Sequence, residues 1–291
     1  MSASIFLDHI GIAVRDLASA KADYERLGFA PTPLSLHAAP PAPGAPVEPT
    51  GSGNHCIMLR DGYLELIGVV DPAKPSTTRM FLDRYEGPHI LALGAKDVAA
   101  ACQSIARRGF EIGQPVALER DAAWGPAGAE TRRAAFANAH LKREGFPEAR
   151  AFIIEHKTPG VIWQPHQLVH PNGAVALVEA WVCPNDPREA ASRYALLAGS
   201  EASPVGEDEW TISLDRGRLR ILSPKAFTAR TSGLLPPAVP GMAGLAVTVR
   251  ELSRARNLLE GSGIECRDEP DGFVVTSPLT HGTALRFTSA S

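Results

Sequence analysis

The sequence predicts an α+β protein of four βαβββ modules. Three observations predict it. A unit of strand, helix cap, helix and glycine stop recurs four times. Each copy is followed by about three short strand-like runs. Most of these runs are hinged at turn dipeptides. The 291 residues leave room for about two domains.

The first unit is FLDHIGIAVRDLASAKADYERLGF, residues 6–29. Its opening is a β-branched, apolar run suited to a buried strand. Asp16 stands where a helix cap belongs, then Leu17, Ala20, Tyr24 and Leu27 follow at helical spacing and Gly28 stops the helix. Residues 89–110, 174–199 and 241–264 repeat the plan. NHCIMLR and YLELIGVV follow the first helix, hinged at Asp61-Gly62. TRRAAFANAHL, ARAFIIEH and VIWQ follow the second. EWTISLD and RLRIL follow the third, hinged at Arg216-Gly217, and GFVVTS and ALRF the fourth, hinged near His281-Gly282. Residues 31–50 hold seven prolines, which fits an extended edge strand and a long surface loop. Residues 121–131 read as a second loop, and PHQLVHPNG at 165–173 as the junction between module pairs.

Composition removes several classes. The chain is 44% hydrophobic and 21% charged with net charge −3, ordinary values for a folded globular protein. It lacks the basic excess of a nucleic-acid binder. No apolar run reaches the roughly 18 residues of a membrane span, and MSASIFLDHIGIAV does not read as a signal peptide. The expectation is a cytoplasmic protein with neither nucleic-acid nor membrane partners. Cys56, Cys102, Cys183 and Cys266 form no CxxC pair and read as free thiols. No GxSxG, P-loop or GxGxxG motif is present.

The tandem module, and above all LDHIGIAVRDL, GSGNHCIMLRDGYLELIGVVDP and EHKTPGVIWQPHQLVHPNGA, resembles the vicinal oxygen chelate superfamily. That superfamily includes glyoxalase I, bleomycin-resistance proteins and extradiol dioxygenases, and the chain looks like its glyoxalase-like branch. The resemblance implies that the modules pair into two tandem domains with cupped mixed sheets, 1–168 and 169–291, and that a divalent metal, Zn, Ni, Fe or Mn, is held in the first cup by His9, Glu65 and His89. Such a set leaves positions open for substrate oxygens. The fourth ligand position, counted from Gly160, falls on Trp163 or Gln164, which departs from the glyoxalase I pattern. In the second pair, His9 corresponds to Glu179 and Gly244, and Glu65 to Arg220 and Arg286. Two arginines do not hold a cation; they suit an anion. This speaks against the ring-cleaving dioxygenases, which keep their iron in the C-terminal pair.

Other residues carry two readings each. His55 is a candidate general base beside Glu65 or a turn cap with Asn54. His156 and Glu155 are candidate pocket residues or hairpin partners. Trp124 and Trp163 read as pocket wall or core, with core preferred for Trp163. Arg132 and Arg133 point to opposite faces, so only one enters the cup. His166, His170 and Asn172 read as linkage. The function expected is a metal-dependent enzyme, a lyase, isomerase or oxygenase, acting on a small oxygen-rich molecule. The alternative is metal-free sequestration of a small ligand. A homodimer through exposed strand edges fits either.

Overall fold

Acidic caps start the module helices. In the computed structural model, which describes residues 4–39 and 48–289, Asp16 accepts from the Ser19 N–H and opens α1 (Leu17–Arg26). Asp97 does the same from Ala100 for α3 (Val98–Arg107), and Asp186 from Arg188 and Glu189 for α5 (Pro187–Ala198). Such bonds satisfy N–H groups that a helix start leaves without partners. Glu251 stands at the same place before α7 (Leu252–Gly261), and its longer side chain makes no capping bond.

Four modules result. The first is β1 (Ile5–Ala13), α1, β2 (Ser35–Ala39), β3 (Glu48–Met58) and β4 (Tyr63–Val69). The second is β5 (Gly87–Ala95), α3, β6 (Val116–Trp124), β7 (Glu130–His140) and β8 (Arg150–His156). The third is β9 (Ala174–Cys183), α5, β10 (Ala202–Gly206), β11 (Glu209–Ser213) and β12 (Arg218–Leu222). The fourth is β13 (Gly241–Val249), α7, β14 (Arg267–Glu269), β15 (Gly272–Val275) and β16 (Ala284–Ser289). Short helices α2 (Thr78–Leu82), α4 (Pro159–Ile162) and α6 (Pro224–Arg230) link one module to the next.

Two strand expectations change. VIWQ is not a strand; Pro159 starts α4 there, and the second module takes its extra strand from Val116–Trp124. That segment, VALERDAAW, carries charges along an exposed edge, and its last four residues, with Glu130 and Thr131, fall in the expected 121–131 loop, which shrinks to a hairpin tip at 125–129. Within the proline-rich stretch, Ser35–Ala39 forms the expected edge strand, while residues 40–47 of the expected loop lie outside the described residues.

The sheets repeat one order, β2-β3-β4-β1-β5-β8-β7-β6 and β10-β11-β12-β9-β13-β16-β15-β14. The central pair in each is antiparallel, and each first strand pairs in parallel with its module's last strand. The first sheet curls until its two edges meet: Arg120 on β6 donates to Ser35 Oγ on β2. The module helices cover the outer faces. Leu7, Ile10 and Tyr24 of the first half share one apolar core with Leu177, Val182 and Tyr194 of the second. Backbone bonds cross between the halves, Leu7 N–H to Arg216 O at 2.9 Å and Leu177 N–H to Asp61 O at 2.8 Å. His170 and Asn172 fasten the linker: the His170 ring bonds the Ala30 N–H and Met58 O, and Asn172 donates to Leu27 O.

The central strands share a further feature. The pairing skips Asp8 in β1, His89 in β5, Val178 in β9 and Ala243 in β13. Each is a β-bulge, and each lies eight residues before its helix cap, Asp16, Asp97, Asp186 or Glu251. A bulge re-aims the side chains beside it, so this one position governs what each module can present to its cup.

Candidate functional site in the first cup

The bulge at Asp8 turns Asp8 and His9 toward the same side. Asp8, 1% exposed, accepts from His9 Nδ1 at 2.7 Å and from His156 Nε2 at 3.2 Å. Burial alone would raise the Asp8 carboxyl, but the bonds and charges of His156 and His9 outweigh it and hold it well below the usual range. An ionised Asp8 needs the His9 proton on Nδ1, which leaves Nε2 as an acceptor in the neutral ring. That Nε2 faces Glu65 Oε2 across 3.8 Å, too long for a direct hydrogen bond. The His9 ring stacks on Tyr63, with centroids 4.3 Å apart.

Glu65 stands on β4 beside two imidazoles. His37 Nε2 lies 3.7 Å from Oε1, and Asn54 donates to the same oxygen. Burial would raise this carboxyl, but the nearby imidazoles of His37 and His9 and the Asn54 hydrogen bond pull it down to about 2. Trp163 closes the site from the segment after α4. Its indole N–H donates to Leu59 O at 2.9 Å, and its ring meets His156 edge-on at 4.8 Å and Tyr63 at 5.8 Å. Trp163 is therefore a wall of the cup, not buried core. Gln164 ties this segment to the tip of the β6–β7 hairpin through Gly125 N–H and Ala123 O.

Three buried acceptor atoms in this cup lack a partner among the described residues: Asn54 Oδ1, Asn138 Oδ1 and His156 Nδ1. Asn138 lies opposite Ile154 and shares its face of β7 with Phe136, which packs against the cup cluster of Phe152 and Ile154. Buried polar atoms rarely stay unpaired, so each of these three calls for a donor, from ordered water or from a ligand.

Several expected members stand elsewhere. His89 does not meet His9 and Glu65. It is the bulge residue of β5 and so the counterpart of Asp8, while the counterpart of His9 is Ile90, seven residues before its cap. His89 is sandwiched between Tyr85 and Phe81, at centroid distances of 3.8 and 5.0 Å, and donates to Tyr85 O. Burial lowers its pKa to about 4. His55 pairs across to Leu66 on the outer, helix-facing side and bonds Thr32 O at 2.7 Å, so it is no base for this cup. Trp124 lies at the hairpin tip under the Arg132 guanidinium, 3.2 Å from its ring centroid. Cys56 does face the cup beside Glu65, and burial pushes its thiol up, away from nucleophilic use.

Glu155 belongs to the outer face, where it accepts from the Val98 N–H at the start of α3 at 3.0 Å and pairs with Lys157. Glu155→Ala is therefore expected to cost about 0.3–1 kcal/mol in urea unfolding while leaving ligand affinity unchanged. Loss of ligand binding would put it back in the pocket.

The register also completes the count of family positions. Glu65 lies opposite Gly11 and Phe152 opposite Ala92, each five residues before its cap, so Phe152 is the second-module counterpart of Glu65. The count from Gly160 went astray because Gly160 is in α4, after the module's last strand. Ile90 and Phe152 have no donor atoms on their side chains. The expected set His9, Glu65, His89 therefore does not fit a divalent metal, and no other group of three His, Cys, Asp or Glu among the described residues is placed to hold one.

The second cup has a different content. Arg220 and Arg286 do occupy the counterpart positions of Glu65. Neither awaits an anion. Arg220 is bonded to Glu179 and Glu209, and Arg286 to Glu269 and Pro270 O. Arg230 joins Glu209 to Glu269, and Arg218 caps Glu179 at 2.5 Å. The cup is filled with its own ion pairs.

With this geometry, comparison places the chain. A model of the glyoxalase-like domain family matches residues 7–198. The chain belongs to the glyoxalase-like domain family. Its fold is that of the vicinal oxygen chelate superfamily. A hypothetical protein from Staphylococcus aureus superposes with TM-score 0.61 at 11% identity, over 98% of this chain and 100% of that one. A 4-hydroxymandelate synthase variant from Streptomyces coelicolor gives 0.57 at 15%, over 100% and 95%. A xylose isomerase-like TIM barrel/4-hydroxyphenylpyruvate dioxygenase fusion protein gives 0.58 at 14%, over 98% and 48%. At these identities the likeness is one of fold. No curated protein sequence matches the chain. Among the described residues, no helix of this glyoxalase-like protein is long and apolar enough to cross a membrane.

Proposed function

We propose that this glyoxalase-like protein is an enzyme that moves a proton on a small oxygen-rich molecule, a dicarbonyl, hydroxy acid or oxygenated aromatic, bound in the first cup. The observation that carries the reading is the Asp8–His9 pair. A buried carboxylate fixes the imidazole at Nδ1 and turns Nε2 toward Glu65, 3.8 Å away. Orientation of a base by a carboxylate is a recurring catalytic arrangement, and an imidazole is suited to proton transfer near neutral pH. Glu65, held ionised, supplies a second acceptor or stabilises positive charge on His9. Trp163 and Tyr63 limit water around the reacting atoms.

The test is turnover of a panel of dicarbonyls, hydroxy acids and hydroxyphenyl carbonyl compounds, with and without prior chelator treatment. Conversion that persists after chelation and is lost in His9→Ala supports the reading. Conversion that requires an added divalent metal and survives His9→Ala refutes it. The apolar pair Ile90 and Phe152, which leaves only half of the family positions polar, favours one other reading, sequestration without chemistry. Panel compounds that bind by calorimetry and emerge unchanged would support that reading.

A further inference from the structure

Arg120 is not used by the proton-transfer array, yet it faces the same cup. On β6 it lies opposite the fully buried Ala134, two residues along β7 from Phe136 and four from Asn138, so its side chain starts on the inner face. It reaches across the mouth to Ser35, itself opposite Asn54 on the inner face of β3. Its charge acts on the Cys56 thiol and the Tyr63 hydroxyl on the floor.

This guanidinium has no carboxylate within ion-pair distance among the described residues. Arg150, on the same face of β8 opposite Ile90, also lacks a carboxylate partner among the described residues, but it is exposed at its strand end. The arginines of the adjacent strand and of the second cup are paired. Arg133 on the outer face of the adjacent strand is paired with Glu119 at 3.7 Å and Asp121 at 3.2 Å. In the second cup, Arg218, Arg220, Arg230 and Arg286 all bond carboxylates. Arg120 is half-buried, and among the described residues its five N–H donors have one bond, to Ser35. A partly desolvated, unpaired cation is costly unless an anion completes it. A planar guanidinium meets a carboxylate through two parallel bonds.

We propose that Arg120 anchors a carboxylate on the ligand of this cup. The ligand class is then a small hydroxylated carboxylate: its acid group lies at the mouth on Arg120, and its hydroxyl donors meet the orphaned acceptors Asn54 Oδ1, Asn138 Oδ1 and His156 Nδ1. Tyr63, Phe136, Phe152 and Trp163 line the same cup and supply its apolar wall. The inference rests on the first cup being the ligand site.

The test is calorimetric titration of the full chain with 4-hydroxybenzoate and its uncharged analogue 4-hydroxybenzamide. The wild type is expected to bind the acid at least about tenfold more tightly, a difference of about 1.4 kcal/mol. Arg120→Gln should abolish that preference and leave the amide's affinity unchanged. Ser35→Ala, which removes the bond across the mouth but keeps the charge, should retain the preference. Equal binding of acid and amide by the wild type, or a preference that survives Arg120→Gln, overturns the anchor and leaves the cup reading standing. Loss of the preference in Ser35→Ala also overturns it, because Arg120 would then act by closing the mouth. Failure of both probes to bind the wild type overturns the anchor and the cup reading together.

Discussion

Replacing His9 with alanine is expected to lower turnover by about 10²–10⁴-fold, the usual worth of a positioned general base. The size follows from placement. His9 sits on a rigid central strand, bonded at Nδ1 and stacked on Tyr63, so no neighbouring side chain can take its position. His156 is tied to Asp8 through its own Nε2, and its Nδ1 is a separate acceptor of the cup, without a partner among the described residues. Asp8→Asn keeps the shape and loses the charge that fixes the His9 proton on Nδ1. It should lower kcat by a comparable factor with little change in KM, because the ligand contacts remain. A kcat within twofold of wild type for both variants would remove His9 from the chemistry.

The largest effect on stability is expected at Glu179, in the other cup. Its carboxylate is fully buried and accepts from Arg218, Arg220 and the Trp181 indole, at 2.6 to 2.9 Å. Glu179→Leu leaves Arg220 with half its partners in a closed space. Breaking such a pair from one side costs about 3–5 kcal/mol, readable as a lowered urea midpoint. Removing both, as Glu179→Leu with Arg220→Met, should recover part of that loss, since the remaining charge is no longer stranded. The same residue predicts a pH profile. Burial raises the Glu179 carboxyl, but Arg220, Arg218 and Trp181 bring it to about 2, below the ordinary 4.5. The unfolded chain therefore takes up its proton first on acidification. The contribution is complete above about pH 4.5 and is lost as pH falls toward 2. The variant should be flatter across that window.

The four-module plan was legible because local signals repeat: an apolar run, an acidic cap and a helix stop are each short-range. The site was legible only in part. His9 and Glu65 could be paired because both lie a countable distance from a cap or hairpin glycine. Asp8 could not be found as their partner, since in a regular strand its side chain would point the other way. The same omission misplaced His89 by one residue, which was enough to exchange the counterpart of Asp8 for that of His9. Phe152 was missed because the charged edge strand at 116–124 concealed which strand closed the module. The fate of Arg220 and Arg286 turned on Glu179, Glu209 and Glu269, which come from three different strands and share no sequence spacing.

The bulges bear on how the site can change. The same irregularity stands at the same distance from all four caps, while its occupant is Asp, His, Val or Ala. One backbone irregularity serves all four modules, while the side chain it displays differs in each. Each module thus owns a socket whose contents can change without re-registering the sheet. One socket here orients an imidazole, another has been filled by an aromatic sandwich, and two are apolar. A lineage could gain or retire a reaction at such a socket by single substitutions, with the scaffold left untouched.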